Sequence, residues 1–304
     1  MDLYHYTSAH GLEGIIKNQM IWSTYHTFLN DYKELRYAYD CFKESLNYFE
    51  EKVFKELEKR QPNNISFYRE KFQEFLYSLN GNFEKVGVFV SSFTTERDSL
   101  THWLSYSGQY CIVLDENAIE YNNIRLKNSV QHLQNIEYGY GIGESNLIVD
   151  LIDLLFKLSP RSFSSQDEAN EAVGRIMYDM FIEVILYFSL IKHEKFKDEK
   201  EKRLITLFPE ELTVNGAEKK SYFTDEDYED VDIEYLDKVV NYKISSKGLF
   251  VPFIEIYLPK ETIKEIIIGP ALDSFNAEIG LKTLVGKYGI NPIISMSNCP
   301  FRHA

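Results

Sequence analysis

Cysteine is scarce in this chain. Cys41, Cys111 and Cys299 are the three in 304 residues. Odd in number, scattered and without CxxC spacing, they exclude a disulfide frame or a cysteine-ligated zinc site and read as reduced thiols used as small core residues. An apolar run of about 18 residues is also missing, which excludes a membrane-spanning helix. Met1-Asp2 leads straight into LYHYTS without a charged-then-apolar leader, so the expectation is a cytoplasmic protein with no membrane contact. Positive charge is in deficit: 33 Lys and Arg stand against 47 Asp and Glu, a formal net charge of −14. That balance argues against coating DNA or RNA by phosphate neutralisation and leaves room for a local nucleotide or single-strand site. HExxH, a phosphate loop, G-x-S-x-G and any Cys/His pairing of useful spacing are missing too, which points away from a metalloenzyme, a phosphate-loop ATPase and a serine hydrolase. Gly139, Gly141 and Gly143 are spaced GxGxG, outside the context of the dinucleotide fingerprint.

What is present is core-forming material, 44% hydrophobic and 15% aromatic, enough for one large domain. With no internal repeat or linker, the chain reads as a single α+β domain over 1–304, with a helical insertion at about 32–80 and an acidic loop insertion at about 209–236. Leu3–Ser8 alternates aromatic and polar residues as a short strand, Ser8 caps a helix from Ala9 to Asn18, and Met20–Ser23 is a second strand. Asn30-Asp31 caps a long helix from Tyr32 to Arg60, which breaks at Gln61-Pro62-Asn63-Asn64 before a helix from Ile65 to Leu79. Tyr37, Phe42, Phe49, Phe54, Phe67, Phe72 and Phe75 recur at helical spacing as the core stripes of this hairpin. Val86–Phe93 is a strand; Asp98 or Ser99 then caps a short helix that sets Trp103 and Tyr106 on one face, ahead of a strand at Gln109–Leu114. Strands near Ile124 and at Val130–Tyr138 and helices at Asn146–Leu158 and Gln166–Ile191 follow. After the acidic stretch come strands at Val239–Ile244, Leu249–Leu258 and Ile263–Ile268, a helix at Ser274–Lys287 and a closing strand at Pro292–Ser297.

The densest chemical signal is Lys192–Leu207, KHEKFKDEKEKRLITL, where a charge run passes directly into an apolar strand pattern. If Lys200–Phe208 is extended, Glu199, Glu201, Arg203, Ile205 and Leu207 share one face and Lys200, Lys202, Leu204, Thr206 and Phe208 the other. Two carboxylates beside a guanidinium suit acid/base or electrostatic work, and equally a solvated strand entry. His5, between two tyrosines, fits a satisfied core histidine as well as a functional one. Ser91-Ser92-Phe93-Thr94, a small-polar strand end before a helix start, suits a ligand's polar groups and is also an ordinary connection. Asp225–Glu234 crowds carboxylates without the glycine and terminal glutamate of an EF-hand loop, so it reads as a solvated insertion and no metal is expected.

Six segments carry a likeness to known families. LYHYTS at the start, LNDYKEL at Leu29–Leu35, SSFTTERDSLTHWLSYSGQYCIVLD at Ser91–Asp115, KHEKFKDEKEKRLI at Lys192–Ile205, IKEIIIGP at Ile263–Pro270 and the closing Phe301-Arg302 resemble, in order and over nearly the whole chain, the bacterial family called domain of unknown function 2971. The opening LYHYTSAHGLEGIIKNQMIWST is similar to the first strand-helix-strand of ADP-ribosyltransferases, especially the DNA-targeting DarT toxins. This second resemblance implies an ADP-ribosyltransferase-like mixed-sheet core with helical insertions, and NAD as substrate. It implies that His5 and Thr7 hold the NAD ribose and amide and that Ser92 and Thr94 stand at the second strand; Tyr6, Trp103, Tyr106 and Arg203 are the further residues expected to bind the cofactor. Glu201 would be the catalytic carboxylate, supported by His5 and preceded by Glu199 as in an ExE pair. The implied activity is transfer of ADP-ribose to a protein, a nucleic acid or water, as a toxin or antiviral defence effector. The departures are Lys200, Lys202 and Arg203 beside the glutamates, and the long helical insertion after Asn30. Two other functions stay open: a non-catalytic nucleotide- or peptide-binding module built on Trp103, Tyr106 and the Glu199/Glu201/Arg203 face, and a metal-dependent nuclease, for which Asp225–Glu234 is the only carboxylate cluster.

Overall fold

The computed structural model describes residues 1–29, 34–83, 86–106, 108–122, 129–139, 146–157, 165–213, 216–218, 239–245 and 247–300. Its central strand is β3 (Val86–Thr94), VGVFVSSFT, whose β-branched and aromatic residues suit a pleated surface covered on both sides. One edge of β3 pairs antiparallel along its whole length with β8 (Glu201–Thr213), from Val86 opposite Glu211 to Thr94 opposite Glu201. The other edge is shared by two strands. β2 (Met20–Tyr25) pairs there through Thr24–Val90 and Tyr25–Phe89, and β1 (Asp2–Thr7) through Tyr4–Thr94. The sheet therefore forks at β3, and Ser91, Ser92 and Phe93 lie between the two tines.

One branch continues from β2 through β11 (Phe250–Tyr257) to β10 (Asn241–Ile244); the other runs from β1 through β4 (Tyr110–Asp115) and β12 (Ile263–Ile268) to β13 (Ile293–Met296). Beyond β8 lie β5 (Val130–Asn135) and β9 (Gly216–Glu218). The β12–β13 pair is parallel and the other described pairs of this sheet are antiparallel, so the sheet is mixed. A short parallel pair, β6 (Glu137–Tyr138) with β7 (Ile191–Lys192), stands apart from it. The tines are bridged by α1 (Ala9–Asn18), started by Ser8, whose hydroxyl accepts from the Gly11 N–H, and ended by Gln19 in the left-handed conformation. Leu12, Ile15 and Ile16 form its buried stripe, as the helical spacing predicts.

Period-2 alternation in β3 divides the core. Val86, Val88 and Val90, with Ile205 and Leu207 of β8, face a helical layer made of α2 (Glu34–Glu44), α3 (Leu46–Arg60), α4 (Ile65–Asn82), α7 (Asn146–Lys157) and α8 (Gln166–Leu190). Phe89 and Phe93, with Leu204 and Phe208, face a second cluster filled by α1 and by α9 (Ser274–Tyr288). Of the expected stripe residues, Phe42, Phe54, Phe72 and Phe75 are buried in the helical layer, and Tyr37 and Phe67 are half-buried against it.

Two element expectations are corrected. The long helix is two: α2 ends at Glu44 and α3 starts at Leu46, with Ser45 at the joint, its N–H shared between the Cys41 carbonyl at 3.2 Å and the Phe42 carbonyl at 3.1 Å. The acidic insertion begins later than expected, because β8 runs on to Thr213 and turns back through β9, adding ladder hydrogen bonds that a loop would leave unmade. Its carboxylate-rich part, 219–238, lies outside the described residues, as do Ile124, Gly141 and Gly143, Asn30-Asp31 and Phe301-Arg302.

A small helix, α5 (Leu100–Ser105), reaches β4 through a turn that only glycine accommodates, and α6 (Glu116–Asn122) follows β4. Gly108 has φ +25°, and Gly269 at the end of β12 lies so close that an added Cβ would sit 2.3 Å from the Gly108 carbonyl oxygen and 3.0 Å from that of Gln109. Both obstacles are backbone, so the strands must separate to admit a methyl group. Gly269→Ala is expected to cost about 1–3 kcal/mol, read by denaturant unfolding; an unchanged midpoint would show that the turn is loosely packed.

Candidate functional site

The fork opens a cavity of about 390 Å³, within the range of small-molecule sites, ~300–1,000 Å³. Its floor is Val90–Thr94 of β3, one wall is Tyr4–Thr7 with the start of α1, the opposite wall is Met20–Trp22 and Thr24, and Glu199, Glu201, His102, Tyr106 and Lys243 close it. Among the described residues the edge of β1 beyond Tyr4 has β4 on one side only, so His5–Thr7 present main-chain donors and acceptors toward the opening.

Beneath the floor lies a buried charge cluster. Arg203 donates from Nε to Glu201 Oε1 at 2.7 Å, from Nη2 to Glu201 Oε2 at 3.0 Å and from Nη1 to the Ser189 carbonyl at 3.0 Å, and its Nη1 lies 2.7 Å from Glu34 Oε2. Lys192 Nζ donates to Glu199 Oε2 at 2.7 Å and Glu201 Oε2 at 2.9 Å, and stands 3.4 Å from Glu34 Oε1. Tyr106 donates its hydroxyl to Glu199 Oε1 at 2.9 Å, and Tyr138 accepts the Glu201 N–H at 2.7 Å. Burial works to raise the Glu201 pKa, but the Arg203 and Lys192 charges and the hydrogen bonds from Arg203 and Ser92 prevail and bring it down to about 2. Burial likewise opposes the charged form of Lys192, and the Glu201 and Glu34 charges prevail and raise it. Three carboxylates face two cations, so the cluster carries one surplus negative charge at the cavity.

The expected strand alternation holds from Glu201 onward and fails before it. Glu199 ends a 3-10 helix, Glu194–Glu199, and Lys200 adopts φ +41° in the left-handed region. The turn, not the pleat, brings the two glutamates onto one lysine. Thr94 fixes that turn: its hydroxyl donates to the Glu199 carbonyl at 2.8 Å and accepts the Glu96 N–H at 3.1 Å. It therefore positions Glu199 rather than pointing a free hydroxyl at a ligand. Ser92, on the same face as Arg203 and Glu201 by register, is the exposed position of β3. His5 donates from Nδ1 to the Ser92 carbonyl at 3.2 Å, which leaves Nε2 as an acceptor; burial, outweighing that bond, lowers its pKa and keeps the ring neutral. Tyr6 donates to the Glu96 carbonyl and accepts the Ser99 N–H.

The structure places two expected pocket residues elsewhere. Trp103 is buried with Tyr4, Tyr6 and Cys111, its Nε1 donating to Asp98 at 2.7 Å, and it does not line the cavity. Arg203 lies behind Glu201, 2% exposed. A six-residue helix cannot present both Trp103 and Tyr106 to one ligand, because Tyr106 already lies past its end. Sequence reasoning missed four contributors: Glu34, Lys192, Lys243 and His102. His102, 3% exposed, is stacked between Tyr6 and Tyr106 at centroid distances of 5.0 and 5.7 Å, lines the cavity, and has an Nδ1 without a hydrogen-bond partner among the described residues. Its pKa is lowered, burial outweighing the Glu199 charge. Lys192 and Glu34 sit in the charge run and in LNDYKEL, so a search for opposite charges across quoted segments would have found them; Lys243 leaves no local signal.

No protein-family model, curated protein or solved structure matches this chain. Among the described residues no group of three or more His, Cys, Asp or Glu is placed to hold a metal ion, and no helix is long and apolar enough to cross a membrane. The thiols of Cys41 and Cys111 are buried and pushed up by that burial, away from thiolate chemistry.

The site predicts a two-stage loss of stability in acid. His5 and His102 have lowered pKa values, burial leading in each. Their contribution is complete above the unfolded value near 6.5 and declines as pH falls below it, because the unfolded chain takes up the protons first. Glu201 adds a second stage, complete above its unfolded value near 4.3 and lost as pH falls toward about 2. Melting temperature measured from pH 8 to pH 3 should fall below 6.5 and more steeply below 4.5; a flat profile down to pH 5 would refute the histidine assignment.

Proposed function

We propose that the protein is an NAD-consuming, ADP-ribosyltransferase-like enzyme that transfers ADP-ribose to a macromolecular acceptor or to water. The observation that carries the reading is the surplus negative charge of the Glu34/Glu199/Glu201 and Lys192/Arg203 cluster at the floor of a fork between two strands. When the bond between ribose C1′ and the nicotinamide nitrogen breaks, its electron pair leaves with nicotinamide and positive charge develops on the ribose. An anionic group in a water-poor site lowers the energy of that charge. With its pKa near 2, Glu201 remains a carboxylate throughout the neutral range, which suits an electrostatic stabiliser and not a proton donor. The open edge of β1 offers the alternating donor and acceptor that a carboxamide needs.

One observation favours a second reading. Both oxygens of Glu201 are already engaged by Arg203 and Lys192, which suits a cavity that binds a nucleotide without turning it over. Incubation of the purified protein with NAD, following free nicotinamide and label transferred to protein, DNA or RNA, separates the two: release supports the transferase, and saturable binding without release supports the binding module.

A further inference from the structure

Lys243 sits on β10, the terminal strand of its branch, where a lysine ordinarily extends its ammonium into bulk water. It does the opposite. β11 separates β10 from β2, since Lys243 is opposite Val251 and Phe253 is opposite Thr24. Yet Lys243 Nζ donates to Thr24 Oγ1 at 3.2 Å, a reach of two strand spacings, roughly 10 Å. On the way the ammonium passes the faces of Trp22, 5.3 Å from its centroid, and Phe253, at 5.9 Å. It ends at the cavity wall, where among the described residues no carboxylate pairs with it. A half-buried cation without a counter-ion is costly unless a ligand supplies one. Burial lowers its pKa, and its charge helps to lower that of His5. Trp22, tilted by 34° against Phe253 at a centroid distance of 4.4 Å, remains 41% exposed and also lines the cavity. The cavity is thus dipolar, with Glu199 and Glu201 supplied from the β8 side and Lys243 from the β10 branch.

We propose that Trp22, Thr24 and Lys243 form the subsite for the nucleoside diphosphate end of the ligand. The phosphates accept from the Lys243 ammonium and the Thr24 hydroxyl, and the base stacks on the exposed part of Trp22. This deepens the NAD reading, and it is tested without turnover so that the two can fail separately.

The test is calorimetric titration of the whole chain with ADP, pyrophosphate and adenosine. Lys243→Met should weaken ADP and pyrophosphate on the order of tenfold or more while adenosine is unchanged, which also shows that the variant is folded. Lys243→Arg, which keeps the charge, should restore part of the affinity. Trp22→Ala should weaken ADP and adenosine and leave pyrophosphate alone. Equal ADP affinity in wild type and Lys243→Met would overturn the subsite, and so would a wild type that binds neither ADP nor pyrophosphate. ADP binding that depends on Lys243, in a protein that releases no nicotinamide from NAD, would uphold the subsite and reject the transferase.

Discussion

Glu201→Gln is expected to abolish nicotinamide release from NAD while the chain stays folded. The amide keeps the shape and removes the charge, so electrostatic stabilisation of the ribose cation is what is lost; removing one preorganised group of this kind costs about 10²–10³ in kcat. The stability cost is smaller in consequence. A carboxyl brought from its ordinary value to about 2 is coupled to its partners by roughly 3 kcal/mol, and a typical protein has about 5–15 kcal/mol in hand. What remains after the substitution is Glu34 and Glu199 against Lys192 and Arg203, a balanced set with each cation still paired. Nicotinamide release and circular dichroism on the same sample decide the matter: a folded variant with wild-type release would remove Glu201 from the mechanism.

Arg203→Met should produce the larger loss of stability. Arg203 is 2% exposed and neutralises Glu201 and Glu34 at once. Without it the buried Glu34 and Glu201 and the half-buried Glu199 face Lys192 alone, and breaking a buried ion pair from one side costs about 3–5 kcal/mol because a charge is left uncompensated. Burial works against the guanidinium itself, but the Glu201 and Glu34 charges prevail and raise its pKa, so in the wild type the arginine stays charged and keeps both carboxylates paired across the working pH range. Adding Glu201→Gln to Arg203→Met removes one of the stranded carboxylates and should recover part of the loss, a coupling visible in a double-mutant cycle. A melting temperature for Arg203→Met within a degree or two of wild type would mean that water, not the arginine, neutralises the cluster.

Much of the secondary structure was legible because its causes are local. The alternation in LYHYTS, the Ser8 cap and the Leu12/Ile15/Ile16 stripe announce β1 and α1, and the apolar run of β3 and the III stretch of β12 announce buried strands. Boundaries were missed where a local rule was overridden by contacts elsewhere. Ser45 interrupts a helical pattern that no proline or glycine punctuates, and β8 continues through Pro209 into segments that read as turns, because β9 is there to pair with it.

The site was legible by residue type and not by arrangement. Glu199, Glu201, His5, Tyr6, Thr7, Ser92, Thr94 and Tyr106 all line one cavity, whereas Trp103 turns into the core and Arg203 stands behind Glu201. By itself, then, the sequence determined the order and kind of most elements, the reduced state expected of the thiols, the lack of a long apolar helix, and the charge-dense strand entry at Glu201, since each follows from composition or from neighbours a few residues apart. Only the tertiary structure decided that β1 and β2 share one edge of β3 and leave a cavity between them, that Glu34 and Lys192 join Glu201 and Arg203, and that Lys243 reaches in from the sheet's far branch. Those facts depend on pairings between segments distant in the chain, where the energy of burying a charge is settled by which opposite charge the fold brings within reach, and no periodicity in the sequence carries that information.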